Sequence, residues 1–192
     1  MFFRHRKLLI LLVLAVLALA VMFPTASMAQ VKEEEAKLLL VGMVMDAPDE
    51  FIGLQIEGET ATFYICDGNA EEGTVTIAQW FIGDLVNNSF DMTAPDGSQL
   101  EFTFDAERTT GKLTLPDGSE KEFSLSEAKE KAALMRSEFA IGGEQYVAGW
   151  IILEDGSVRG AIIKVGGDGD ETDMTPASLS GSWFDLPEEE SE

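Results

Sequence analysis

Three segments of this chain share one design, and they constrain the fold more than any other feature. Ala94-Pro95-Asp96-Gly97-Ser98, Leu115-Pro116-Asp117-Gly118-Ser119 and Leu153-Glu154-Asp155-Gly156-Ser157 each separate two short runs rich in β-branched and aromatic residues. Asp-Gly suits a two-residue hairpin turn, whose central positions take positive φ, because glycine tolerates that region freely and aspartate better than most residues. The spacing predicts that Phe90 to Thr93 pairs with Gln99 to Phe104, Lys112 to Leu115 with Lys121 to Leu125, and Tyr146 to Leu153 with Val158 to Val165. The intervals between the turns are unequal, which describes a meander and not a repeat array.

The flanking sequence continues the pattern. Leu38 to Met45 reads as a first strand with Gly42 inside it, and Glu57-Gly58-Glu59 as a turn between two more. Thr74 to Ile82 alternates, with Val75, Ile77 and Phe81 on one face and Thr76, Ala78 and Trp80 on the other. Asn87-Asn88 closes it as a turn. One segment breaks the texture. Ser124-x-x-Glu127 resembles a capping box, Ala128, Ala132 and Met135 share a helical face, and Glu127 and Lys131 form an i,i+4 pair, so residues 126 to 136 are expected to be helical. The fold class is all-β: an antiparallel β-sandwich or small meander β-barrel of about eight to ten strands, with one short helical insertion.

The ends differ from the middle. Arg4, His5, Arg6 and Lys7 precede 16 unbroken apolar residues, Leu8 to Phe23, which stop at Pro24. This is shorter than the roughly 20 residues that cross a bilayer as a helix, and Ser27-Met28-Ala29 supplies small side chains for a signal peptidase. Residues 1 to 29 are expected to be a signal peptide cut before Gln30, with an uncleaved anchor as the alternative. Export by the general secretory route implies a secreted, periplasmic or cell-envelope protein. Residues 30 to 37 read as a charged leader, 38 to 165 as one β-rich domain, and 166 to 192 as an acidic, largely disordered tail. Trp183-Phe184 stands out in that tail and is expected to dock back on the domain.

Removing residues 1 to 29 leaves 163 residues with ten basic and 35 acidic side chains, a formal charge of −25. Such a balance argues against nucleic acid or an anionic membrane surface as a partner, since both require clustered cations. The same cut removes the chain's only histidine, His5, and with it Ser-His-Asp and Cys-His catalysis and histidine zinc sites. The single cysteine, Cys66, cannot close an internal disulfide and reads as a buried strand thiol.

Tyr64-Ile65-Cys66-Asp67-Gly68, Trp80-Phe81 and Gly149-Trp150-Ile151 together resemble a group of uncharacterised secreted bacterial β-rich proteins. The resemblance spans roughly residues 51 to 165. It implies export and a β-rich fold, and brings no activity with it.

Candidate sites are few. Asp168, Asp170, Glu171 and Asp173 place oxygens closely enough for calcium, but an EF-hand loop starting at Asp168 needs glycine where Asp173 stands and glutamate where Leu179 stands. Trp80, on the strand face opposite Phe81, is the candidate for an aromatic platform that binds a glycan. The expected function is a non-enzymatic exported domain that binds a partner or serves as a structural component of the envelope. The alternatives are a cation-dependent adhesion or carbohydrate-binding module and a small hydrolase using two carboxylates.

Overall fold

The computed structural model describes residues 37–129, 131–166 and 173–179. It is an all-β molecule of hairpin-connected antiparallel strands. In chain order these are β1 Lys37–Val44, β2 Ala47–Glu57, β3 Thr60–Cys66, β4 Ala78–Asp84, β5 Ser89–Thr93, β6 Gln99–Thr103, β7 Arg108–Thr114, β8 Glu120–Glu127, β9 Ala133–Ile141, β10 Glu144–Ile152, β11 Val158–Lys164 and β12 Met174–Pro176. Among the described residues that makes twelve strands, against the eight to ten expected.

The first eight form one sheet in the order β4-β3-β2-β1-β8-β7-β6-β5. Its two edge strands, β4 and β5, are joined by the Asn87-Asn88 turn, and the sheet curls almost into a closed barrel. Both asparagines take positive φ, 52° and 62°, as a two-residue turn that matches strand twist demands. The interior is a packed core and not a lumen. Leu40, Ile52, Leu54, Phe63, Ile65, Leu100 and Leu113 are fully buried there. The ring of Phe63 lies 6.0 Å from Phe81, 6.3 Å from Phe102 and 5.3 Å from Phe123. At Gly111 a Cβ would lie 2.6 Å from the Phe123 ring, so the missing side chain makes room for that phenylalanine.

The last four strands form a second sheet in the order β12-β11-β10-β9, which packs on the outer face of β2, β3 and β4. Strand parity explains how one segment serves two layers. In β3, Phe63 and Ile65 point into the barrel, while Tyr64 and Cys66 point the other way, into a seam with Phe51, Ala78, Ile151 and Ala161.

The three Asp-Gly-Ser hairpins form with the expected partners, but their turns differ from the expectation. Only the glycines take positive φ, at Gly97, Gly118 and Gly156. Ala94 N–H donates to the Ser98 carbonyl and Gly97 N–H to the Ala94 carbonyl, which makes a longer loop with the glycine at a left-handed position. Each aspartate works through its side chain instead. The Ser98, Ser119 and Ser157 N–H groups donate to the carboxylates of Asp96, Asp117 and Asp155 at 2.9, 2.8 and 2.9 Å.

The short helix expected over 126–136 is not there. Ser126 and Glu127 end β8, paired with Val41 and Leu40 of β1, and Ala133 to Arg136 begin β9, paired with Ile152 to Gly149 of β10. Ladder hydrogen bonds to strands far along the chain outweigh a weak local helical preference. The β-rich domain also extends past Val165, the expected boundary. Met174–Pro176 pairs with β11, and Ala177 is buried against Trp150. Residues 167–172 and 180–192 of the expected tail, including Trp183 and Phe184, lie outside the described residues, as does the expected signal peptide.

Candidate functional site

The three motifs that carried the sequence resemblance converge on the seam between the barrel and the second sheet. Trp80 stacks on its cross-strand neighbour Tyr64 with ring centroids 4.1 Å apart. Gly149 supplies the floor beneath them. A Cβ there would lie 2.6 Å from atoms of both rings, so only glycine lets β10 approach. Gly68 plays the same part at the strand end, where a Cβ would sit 2.2 Å from the Gly160 carbonyl oxygen. Gly160 N–H donates to the Gly68 carbonyl at 3.0 Å. Between them, Asp67 gathers the loop that follows: its carboxylate accepts from the Thr76 and Ile77 N–H groups at 2.9 and 3.0 Å and from the Thr76 hydroxyl. The motif residues therefore hold two sheets together, a role visible only once distant strands are placed side by side.

Trp80 is half-buried. Tyr64 covers one face of its ring, and the Arg136 guanidinium lies over the ring at 5.4 Å from the centroid. Its indole Nε1–H is buried without a hydrogen-bond partner, and the Tyr64 hydroxyl, buried with it, has only Cys66 and the Ala161 backbone beside it, neither in good hydrogen-bond geometry. Burial raises the Tyr64 pKa well above its ordinary value, with the neighbouring Cys66 adding to the effect. Cys66 is fully buried and its thiol is pushed up to about 11, chiefly by burial. Gly68 N–H donates to its Sγ at 3.2 Å. A thiol so placed is a packing group with almost no thiolate at neutral pH. Trp150 occupies the opposite face of the second sheet, where its Nε1–H donates to the Ala177 carbonyl at 3.1 Å.

A surface groove of about 490 Å³ opens where β1 and β8 meet the β10–β11 turn. Glu107, Glu127, Glu154 and Asp155 line it together with Lys129, whose Nζ lies 4.0 Å from Glu154. Four carboxylates around one ammonium leave the groove net negative, a surface that favours cations or a basic segment. Sequence reasoning gave none of these residues a site role: Glu127, Glu154 and Asp155 figured only as helix and turn residues, and nothing marks the four as a group among 35 acids.

Of the calcium candidates, Asp173 begins the described 173–179 segment, while Asp168, Asp170 and Glu171 lie outside the described residues. Among the described residues no group of three or more His, Cys, Asp or Glu side chains is placed to hold a metal ion, and no helix is long and apolar enough to cross a membrane. No protein-family model, curated protein or solved structure matches this chain.

Proposed function

We propose that this is an exported, non-enzymatic domain that acts through its surface, binding a partner or taking a structural place in the secreted or cell-envelope compartment. The observation that carries the reading is the filled interior. Phe63, Phe81, Phe102 and Phe123 occupy the barrel, and Tyr64, Trp80 and Cys66 occupy the seam. A ligand therefore meets the outside of the molecule and not a lumen. Export is supported by the basic, apolar and small-residue order of residues 4 to 29. Fractionation of producing cells with amino-terminal sequencing tests it: the expected product starts at Gln30 outside the cytoplasm, and a cytoplasmic product starting at Met1 refutes export. Turnover of glycoside, ester or peptide substrates that is lost on changing groove carboxylates to amides would refute the non-enzymatic part and favour a carboxylate hydrolase.

The acidic groove favours a second reading, a cation-dependent adhesion or carbohydrate-binding module. It expects calcium to raise the melting temperature and a chelator to lower it, and glycans to change tryptophan fluorescence in the parent but not in Trp80→Ala. No change in either measurement removes it.

A further inference from the structure

Edge strands normally carry a device that stops them pairing with another chain: short length, proline, a bulge, or a neighbour. Among the described strands, β4 and β5 approach each other, and β12 has three residues and ends in Pro176. β9 is different. It has nine residues, Ala133–Ile141, no proline and an unbroken register with β10, and it forms the other edge of the second sheet.

The direction of its free backbone groups follows from the turn that precedes β10. Gly142 and Gly143 both take positive φ, 59° and 91°, as the two-residue turn requires, so Ile141 and Glu144 are the closing hydrogen-bonded pair. Hydrogen-bonded and non-bonded pairs alternate from there. Odd-numbered residues of β9 bond to β10, and Leu134, Arg136, Glu138 and Ala140 turn their N–H and C=O groups to the open edge. The next ladder agrees: Val165 N–H donates to the Gln145 carbonyl, so Gln145 faces β11 and not β9.

The sequence along this edge, Ala-Leu-Met-Arg-Ser-Glu-Phe-Ala-Ile, is self-complementary about Ser137. We propose that two copies of the chain pair antiparallel through β9, with the two-fold axis at Ser137, joining two four-stranded sheets into one of eight strands. Arg136 then faces Glu138 of the partner subunit in a hydrogen-bonded pair, and Leu134 faces Ala140 of the partner subunit in another. Slipping the register by two residues either way sets Arg136 against Arg136 of the partner subunit, or Glu138 against Glu138 of the partner subunit, so charge selects the central register. On the outer face the same register sets Met135 against Phe139 of the partner subunit and Ile141 against Ala133 of the partner subunit. Met135 and Ile141 are exposed by 40% and 36% in the single chain, and pairing covers them. Within one copy Arg136 and Glu138 bond to each other; pairing replaces that contact with two equivalent ones across the axis. The net negative charge of each copy opposes association, so moderate salt should favour it until the Arg–Glu pairs are themselves screened.

The test uses the full chain and does not depend on export. Ser137→Cys sits on the axis at a non-bonded pair, where Cα atoms approach to about 4.5 Å, within disulfide range. Mild oxidation of native lysates should give a disulfide-linked dimer on a non-reducing gel. The parent chain, whose only thiol, Cys66, is buried, should give none. Ile141→Cys, roughly 27 Å from its own mate in this register, should give none either. Adding Glu138→Arg to Ser137→Cys opposes like charges and should cut the dimer at least tenfold, as should adding Arg136→Glu. Co-expressing the two charge variants under different tags restores opposite charges at both pairs and should recover the crosslink as a mixed species. No crosslink from Ser137→Cys overturns the proposal. So does one that the charge variants leave unchanged, a mixed pair no better than either variant alone, or equal crosslinking from Ile141→Cys.

Discussion

The barrel and the second sheet solve the same packing problem in opposite ways. Inside the barrel, large side chains meet large side chains: Phe63 touches three other rings, and Phe90 stacks on Phe102 at 4.9 Å. Glycines serve both regions: Gly111 admits the Phe123 ring inside the barrel, and in the seam large side chains meet backbone where glycines let the second sheet approach. Gly149 lies under Tyr64 and Trp80, Gly53 against Leu134, and Gly68 against Gly160. Apolar side chains fill the middle of the barrel, and the buried polar groups of its strands are largely paired, as Glu50 is with Lys121, whereas the seam buries an indole N–H without a partner and a tyrosine hydroxyl without a well-formed one. Packing of the first kind is costly to hollow out. Packing of the second kind is costly to fill, and it carries polar groups whose removal should help.

The largest expected effect lies in the barrel. Phe63→Ala empties a site between three rings and should cost about 3–5 kcal/mol in denaturant unfolding; a loss below about 1 kcal/mol would deny that the barrel has one packed centre. In the seam, Gly149→Ala drives a methyl group into two rings and should cost about 1–3 kcal/mol. Because β10 and β11 cover Cys66, the same variant should also speed thiol labelling under native conditions by roughly tenfold to a hundredfold, at about 1.4 kcal/mol per tenfold. If labelling in both variants merely tracks global stability, the two regions open as one unit and the comparison collapses. Tyr64→Phe removes this poorly placed hydroxyl and keeps the ring on Trp80. It should leave stability unchanged or raise it by about 1 kcal/mol, and a clear loss would show that the hydroxyl bonds Cys66 or the Ala161 backbone.

Local chemistry was readable in the sequence, and non-local chemistry was not. The hairpins at Gly97, Gly118 and Gly156 were legible because a turn is specified by the four or five residues that form it. Their inner geometry was misjudged at the aspartates, which hold the loop through a carboxylate–N–H bond and keep ordinary φ. The segment after Ser124 was misread as helix because Ala128, Ala132 and Met135 satisfy a helical spacing by coincidence. What decided it was pairing with Leu40, Val41 and Trp150, none of them nearby in sequence. The same holds for the site. Cys66, Trp80 and Gly149 were singled out one by one as a buried thiol, a ring candidate and part of a strand motif. That they meet in a single seam depends on the second sheet folding onto β3, which no local pattern encodes. The open edge of β9 was hidden behind the helix expectation.

One turn motif occurs in both regions. Asp117 closes a barrel hairpin and Asp155 one in the second sheet. Hydrogen bonds from Ser119 hold the Asp117 carboxyl below its ordinary 3.8, with Lys121 adding a smaller pull. Hydrogen bonds from Ser157 hold Asp155 down, and no lysine contributes to that shift, Lys129 of the same groove lying against Glu154. A carboxylate depressed in the folded state stabilises the fold above the unfolded pKa and loses that contribution as pH falls through the folded one. Both turns should therefore weaken only below about pH 4, and carboxylate NMR titrations should place both midpoints under 3.8. Salt separates the two. Screening removes the lysine's attraction but spares a short hydrogen bond, so added salt should move the Asp117 midpoint upward while Asp155 stays nearly fixed. A midpoint at or above 3.8 for either would mean that its serine bond does not form. Equal salt shifts would mean that charge surrounding the two turns, and not the turn itself, sets both.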